Sequence, residues 1–233
     1  MNKLWIFGDS YSEPFSKDTG IRGINWKYQY NNWKGYIPKC YGEIISDKMK
    51  LHHINRALGG ADNYTILDSI IYCLGKIQKN DVLIIGWSNT ARFRVVSNEN
   101  SFNTIRPGSL DYVLDLNKKA KYLNFLDTTL QEMCIDRDSQ LYINELNNYI
   151  KLLNFTFSNN KIIHWSPFAQ DRQGLNTTLP TLIKYELIRD ETNGLIDDGH
   201  FNENAHKILS EQLINCINNY NFDKLNNTSN SLL

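Results

Sequence analysis

The sequence contains few cysteines and no long apolar segment, and both absences exclude classes of protein. No Cys-x-x-Cys pair occurs, and no His/Cys group has the spacing of a zinc site. No apolar run approaches the roughly 20 residues that a membrane-spanning helix needs. We therefore expect no metal centre and no membrane span. The four cysteines are spread along the chain: Cys40, Cys73, Cys134 and Cys216.

The chain also lacks an excess of charge of either sign. Lys and Arg together number 25, as do Asp and Glu. This balance provides no basic face for nucleic acid and no polybasic block for an anionic membrane. The apolar run after Met1 is too short for the core of a signal peptide. We therefore expect a cytoplasmic protein with reduced thiols.

What the sequence does contain is an alternation of strands and helices. Short, continuous apolar runs are typical of strands buried on both faces. Such strands are predicted at 3–7, 82–85 and 161–165, with a weaker one at 52–57. Helical spacing of apolar residues predicts helices at 41–49, after Asp62 or Asn63, at 118–133, at 138–155 and at 202–219.

This alternation predicts an α/β fold with a parallel sheet and helices on both of its faces. No repeat or Pro/Gly/Ser-rich linker divides the chain, so residues 1–233 are expected to form one domain with a frayed tail at 222–233. Residues 11–36 are expected to be an aromatic loop, which either lines a substrate entrance or packs against the sheet. Residues 92–116 are expected to be irregular or to form a hairpin.

In such a sheet, functional sites form outside the carboxyl ends of the strands. Small and polar residues follow the predicted strands at these ends. They are Gly8-Asp9-Ser10, Gly59-Gly60, Gly86-Trp87-Ser88-Asn89 and His164-Trp165-Ser166. A further polar segment, Asp197-Asp198-Gly199-His200, comes just before the last predicted helix.

These residue types have the chemistry of acyl transfer. A serine such as Ser10 becomes a nucleophile only when a base removes its proton. In a short turn, Asp197 can fold back onto His200 and leave the other imidazole nitrogen to face a serine. Backbone N–H groups at Gly59-Gly60 and the side-chain amide of Asn89 are donors for a developing oxyanion. Each segment also has a purely structural interpretation, as a turn or a helix cap.

Taken together and in order, these segments resemble the SGNH hydrolases, also called GDSL esterases. The segment FGDSYS resembles the first sequence block, whose Ser is the nucleophile, here Ser10. NRALGGADN resembles the second block and corresponds to an oxyanion glycine at Gly60. IIGWSNTAR resembles the third, with Asn89 as donor, and DDGHFNENAH resembles the fifth, with Asp197 and His200.

The resemblance implies a flavodoxin-like three-layer α/β/α sandwich with a parallel sheet of about five strands. It implies a serine esterase acting on a carboxylic ester or an O-acetylated carbohydrate, through an acyl-enzyme on Ser10. The catalytic residues would be Ser10, Asp197 and His200, and the oxyanion hole would comprise Ser10, Gly60 and Asn89. No metal or organic cofactor is implied.

Two of these blocks depart from the family pattern. Gly86 and Asn89 are separated by two residues rather than one, and Thr90 stands where the family has Asp. Tyr11 replaces the Leu of the first block. Ser88 therefore competes with Asn89 as the oxyanion donor. The alternative functions are a non-hydrolytic domain that binds a ligand in the same cleft, or an acyltransferase with the same triad.

The remaining charged residues and histidines receive structural interpretations. Asp9 is expected to be structural. His164 is expected at the site edge, but it fits the role of base less well than His200. Arg92 and Arg94 are expected at the solvated surface, with binding of an anionic substrate group as the alternative, and His52, His53 and His206 are also expected at the surface.

Overall fold

A computed structural model describes residues 2–16, 26–89, 92–98, 101–105, 140–167, 175–177 and 201–221. Several predicted features lie outside these residues. They are the amphipathic segment 118–133, the turn with Asp197, Asp198 and His200, and the tail 222–233.

The strands alternate in chain order with the helices. The strands are β1 (Lys3–Phe7), β2 (His52–Asn55), β3 (Val82–Gly86), β4 (Phe93–Asn98), β5 (Ser101–Ile105) and β6 (Lys161–Trp165). The helices are α1 (Trp26–Lys34), α2 (Tyr41–Met49), α3 (Asn63–Cys73), α4 (Gln140–Thr156) and α5 (Glu203–Asn218). A 3₁₀ turn, Leu74–Lys76, follows α3.

Four of the strands form one parallel sheet in the order β2-β1-β3-β6. Counting only these strands, the order is 2-1-3-4, as in flavodoxin-like folds. Every residue of β3 is buried, which explains its continuous apolar sequence. The described strand β2 is polar, partly exposed and short, as edge strands that avoid further pairing tend to be.

Helices cover both faces of this sheet. Alternate residues of β1 point to opposite sides, so Leu4 and Ile6 belong to one buried cluster and Trp5 and Phe7 to another. The first cluster includes residues of α2 and α5, and the second includes residues of α3 and α4. The predicted three-layer α/β/α architecture is therefore confirmed.

The strand count and one loop differ from expectation. Among the described residues the parallel sheet has four strands rather than about five. The hairpin expected within 92–116 is present, since β4 and β5 pair with each other in antiparallel fashion. Within the predicted loop 11–36, residues Trp26–Lys34 are helical. This helix is fixed by tertiary contacts, since Tyr30 is buried with its ring 4.8 Å from that of Phe15.

An ionic cluster around Glu203 joins α1 to α5. The Glu203 carboxylate accepts hydrogen bonds from Lys34 Nζ at 3.0 Å, Tyr36 Oη at 2.8 Å and, through an ion pair, Lys207 Nζ at 2.9 Å. Burial alone would raise the pKa of Glu203, but hydrogen bonds from Lys207, Lys34 and Tyr36 outweigh it and lower the pKa to about 2. The cluster therefore stabilises the fold only while Glu203 is ionised.

We expect Glu203→Gln to lower the free energy of unfolding at pH 7 by about 1 to 2 kcal/mol, a moderate value because the cluster is partly solvated. The folded-state pKa lies below the ordinary 4.5, so this stabilisation is present above pH 4.5 and is lost as the pH falls towards 2. The difference between variant and wild type should shrink between pH 7 and pH 3 in urea titrations. Glu211→Gln is the matched control, since Glu211 lies 3.8 Å from Lys48 and is largely exposed. Equal losses in the two variants would contradict this account.

Candidate active site

Ser10 lies at the tip of a tight turn that follows β1. The backbone N–H of Ser12 donates to the carbonyl of Asp9 at 2.9 Å, and the N–H of Tyr11 donates to Asp9 Oδ1 at 3.1 Å. Ser10 is the second of the four residues in this turn. It is half-buried, whereas Asp9 and Ser12 are fully buried. The turn therefore displays the Ser10 side chain at the carboxyl end of the central strand β1.

Two glycines allow this turn to pack closely against the neighbouring strand. A Cβ at Gly8 would lie 2.8 Å from Ser12 Cβ and 3.0 Å from the carbonyl oxygen of Gly86. A Cβ at Gly86 would lie 2.6 Å from Ser12 Oγ. The hydroxyl of Ser12 accepts a hydrogen bond from Tyr41 Oη at 2.9 Å. Ser12 is thus a buried anchor of the turn that carries Ser10.

The Gly59-Gly60 turn after β2 lies directly beside Ser10. The N–H of Leu58 donates to the carbonyl of Gly8 at 3.0 Å, and the N–H of Ala61 donates back to the carbonyl of Leu58 at 3.0 Å. A Cβ at Gly59 would be 4.0 Å from Ser10 Cβ. Gly60 has φ of +78°, a conformation that favours glycine. The carboxylate of the buried Glu13 lies closer still, since a Cβ at Gly59 would be 2.8 Å from Glu13 Oε2, so the turn brings its backbone close to the side chains of both Ser10 and Glu13.

The segment after β3 is the third to reach this edge of the sheet. The side chain of Asn63 pairs with the backbone of Ser88, accepting from its N–H at 2.8 Å and donating to its carbonyl at 3.1 Å. Asn89 is half-buried, and its carbonyl accepts from the N–H of Arg92 at 3.1 Å. Trp87 is fully buried and serves as a packing residue.

The hydroxyl of Ser88, the alternative oxyanion donor, is hydrogen-bonded to buried side chains. Ser88 is fully buried and donates to Asp9 Oδ2 at 3.0 Å. It also accepts from Arg92 at 2.9 Å. The Ser88 hydroxyl therefore belongs to a buried network with Asp9 and Arg92.

Arg92 was expected at the solvated surface, and that expectation was wrong. It is 7% exposed and forms a 2.9 Å ion pair with Asp9, which is 1% exposed. A buried carboxylate requires a counterion, and adjacent parallel strands β1 and β3 deliver these two residues to the same edge. The sequence feature that could have indicated this ion pair is an Asp after the buried strand β1 and an Arg shortly after the adjacent buried strand β3.

His164 is at the end of β6, but both of its ring nitrogens are engaged. Its Nδ1 accepts from Trp87 Nε1 at 3.1 Å, so Nε2 carries the proton and donates to Asn154 Oδ1 at 3.1 Å. Burial lowers the pKa of His164 to about 3, which keeps the imidazole neutral at physiological pH. His164 is therefore a structural histidine.

The other described histidines are also placed away from a catalytic role. The expectation that His206 is a surface residue was wrong, because it is 2% exposed and its Nδ1 accepts from the N–H of Tyr41 at 3.3 Å. His52 and His53 pair with the first residues of β1, at the opposite end of the strand from Ser10.

The start of the last helix approaches the Ser10 turn. The ring of Phe201 lies 4.9 Å from that of Tyr11 in an edge-to-face contact. Asn202 then caps α5 by accepting from the N–H of Ala205 at 2.8 Å. The residue that follows His200 in the sequence thus contacts the residue that follows Ser10.

The described residues contain no group of three or more His, Cys, Asp or Glu side chains arranged to hold a metal ion. Within the same part of the chain, no helix is both long and apolar enough to cross a membrane.

Comparison with known proteins gives a limited result. No family model and no curated protein matches the sequence. Among solved structures, the chain is similar to a protein from Desulfitobacterium hafniense DCB-2 that is provisionally described as a lipolytic protein of the G-D-S-L family. The identity is 11%, the match covers 91% of this chain and 98% of that one, and the TM-score is 0.34. The fold and the candidate site therefore rest on the geometry of this chain.

Proposed function

We propose that this protein is a serine ester hydrolase that forms an acyl-enzyme on Ser10. The observation that carries the proposal is the meeting of three separate chain segments at one edge of the sheet. They contribute a half-buried serine at a turn tip, a glycine turn beside it and a half-buried asparagine on the next strand end. A serine and two kinds of oxyanion donor, together with a base that takes the serine proton, are the groups that acyl transfer requires.

In the proposed mechanism, Ser10 Oγ attacks the ester carbonyl while His200 takes its proton. Asp197 orients His200 and stabilises the imidazolium. The backbone N–H groups of Ser10 and Gly60 and the side-chain amide of Asn89 donate to the oxyanion. The tetrahedral intermediate then expels the alcohol, which receives the proton from His200. Water, deprotonated by His200, attacks the acyl-enzyme and releases the acid and free Ser10.

Two observations support His200 as the base. The other four histidines of the chain are all described, and they are either engaged in buried hydrogen bonds or located at the far end of β1. In addition, Phe201 directly follows His200 in the sequence and contacts Tyr11, the residue that follows Ser10.

We infer that the alcohol portion of the substrate is polar, as in an acetylated sugar. A shallow depression between α3 and α4 shares Asn63 and Arg92 with the candidate site. Its tyrosine-rich wall includes Tyr64 and Tyr149, whose hydroxyls both donate to Glu145, at 2.9 and 2.7 Å. Aromatic faces combined with such hydrogen-bonding groups suit a hydroxylated ring better than a long acyl chain.

The proposal is tested by assaying short-chain p-nitrophenyl esters and a panel of acetylated sugars. We expect saturable hydrolysis whose rate falls below about pH 6.5, because a protonated His200 cannot accept the Ser10 proton. A flat profile from pH 5 to 8 would argue against a histidine base. Ligand binding without turnover would identify a non-hydrolytic domain. Ester turnover that requires an added acceptor alcohol, with the acyl group transferred to that alcohol, would identify an acyltransferase.

We expect Asn89→Ala to lower kcat by about 10² to 10³, the usual effect of removing one oxyanion donor. KM should change little, because this contact strengthens in the transition state. Ser88→Ala is the matched comparison and should stay within about tenfold of wild type, since its hydroxyl is bonded to Asp9. If Ser88→Ala carries the larger loss of kcat, the oxyanion hole is built from a different residue than Asn89.

A further inference from the structure

One buried guanidinium nitrogen connects the three segments of the candidate active site. Arg92 Nη1 lies 2.9 Å from Asp9 Oδ2, 3.2 Å from the carbonyl oxygen of Ala61 and 2.9 Å from Ser88 Oγ. These three acceptors belong to the turns after β1, β2 and β3. Ser88 in turn donates to Asp9, which closes the network.

We propose that Arg92 is a positioning residue that sets the distances between the nucleophile and the oxyanion donors. Each of its three contacts is one residue away from a proposed functional group: Asp9 from Ser10, Ala61 from Gly60, and Ser88 from Asn89. This inference rests on the proposed function, which assigns those groups their roles. Arg92 itself is held next to Asn89, because its N–H donates to the Asn89 carbonyl at 3.1 Å.

Burial makes this arrangement rigid. Arg92 is 7% exposed and Asp9 is 1% exposed, so water competes little for their hydrogen bonds. The planar guanidinium presents fixed donor directions, whereas a lysine ammonium is a compact charge on a flexible stem. All three contacts are made by the single atom Nη1, and a lysine side chain is one atom shorter, so the ammonium nitrogen at position 92 would not reach the place that Nη1 occupies between Asp9, Ala61 and Ser88.

The test compares Arg92→Lys and Arg92→Gln with the matched control Arg56→Gln. Arg56 is exposed and lies over the ring of Tyr72, away from the Asp9 network. We expect both Arg92 variants to lower kcat for p-nitrophenyl acetate by about 10²-fold, the cost of a misplacement of about 1 Å. KM should stay within about threefold, and Arg56→Gln should stay within about twofold of wild type. An Arg92→Lys variant with wild-type kcat would overturn the proposal.

Hydrogen exchange provides a readout that does not require ester turnover. We expect Arg92→Lys to increase deuterium uptake in residues 57–61 and 86–89, while uptake in α2 stays at the wild-type level. This result would support the positioning role even if the wild type hydrolysed no ester, in which case only the proposed function would fail. Unchanged uptake in both turns, or a uniform increase over all elements, would overturn the positioning role.

Discussion

Replacing Ser10 by alanine should lower kcat for ester hydrolysis by about 10⁴ to 10⁶ and leave the fold intact. The loss is large because the alanine side chain cannot form the acyl-enzyme, and the remaining donors can assist only direct attack by water. The fold should persist because Ser10 is half-buried at a turn whose buried anchors are Asp9 and Ser12. Steady-state kinetics on p-nitrophenyl acetate, with circular dichroism as a check of folding, measure both quantities.

Ser12→Ala is the matched control for this experiment. Ser12 belongs to the same turn, but its hydroxyl is buried against Tyr41. We expect this variant to be destabilised by roughly 1 to 2 kcal/mol, because it leaves the buried Tyr41 hydroxyl without that partner. Its kcat should stay within about tenfold of wild type. A well-folded Ser10→Ala protein with wild-type turnover would refute the assignment of the nucleophile.

Asp197→Asn should lower kcat by about 10⁴, whereas Asp198→Asn should have a far smaller effect. Asp197 precedes His200 by three residues, the spacing that lets a carboxylate accept from the imidazole in a short turn. An asparagine in its place preserves the shape but favours the wrong imidazole tautomer, so His200 no longer accepts the Ser10 proton.

The two neighbouring aspartates are matched in charge and size, so their comparison isolates position. Both variants are assayed for kcat at pH 8, above the ordinary pKa of an imidazole. Equal losses in the two variants, or a larger loss in Asp198→Asn, would show that the carboxylate was assigned to the wrong residue of the turn.

The central strands were predictable because burial on both faces leaves little freedom in their sequence. The predicted bounds of 3–7 and 161–165 coincide with β1 and β6, and 82–85 differs from β3 by one residue. The edge strand β2 ends at Asn55 rather than at residue 57. There, Asn55 Oδ1 accepts from the N–H of Ala57 and turns the chain towards Ser10. Such a side-chain contact leaves no periodic signal.

What the sequence did not reveal are features that depend on partners far away in the chain. The helix α1 is held in place by contacts with Phe15 and Glu203. Because these contacts are not visible in the local sequence, a loop was predicted there. Arginine is usually exposed and histidine is intermediate, so neither residue type predicts the burial of Arg92 and His206. Their burial follows from the tertiary partners Tyr41 and Asp9. A prediction of exposure made from each residue type separately cannot anticipate such pairs.

The candidate site was predictable to the extent that strand order determines which turns meet. Ser10, Gly60 and Asn89 follow adjacent parallel strands, and these turns lie together as the rule for parallel sheets requires. The contribution of Asp197 and His200 stays a prediction, because it depends on a segment outside the described residues.

The most direct test of an activated Ser10 is covalent labelling with a fluorophosphonate, mapped by mass spectrometry. The reagent requires a serine nucleophile with a working base and oxyanion hole, but it requires no knowledge of the natural substrate. We predict a single modified residue, Ser10, with a labelling rate that falls as the pH is lowered through about 6.5. A folded protein that remains unlabelled, or that is labelled at a serine other than Ser10, would contradict the account.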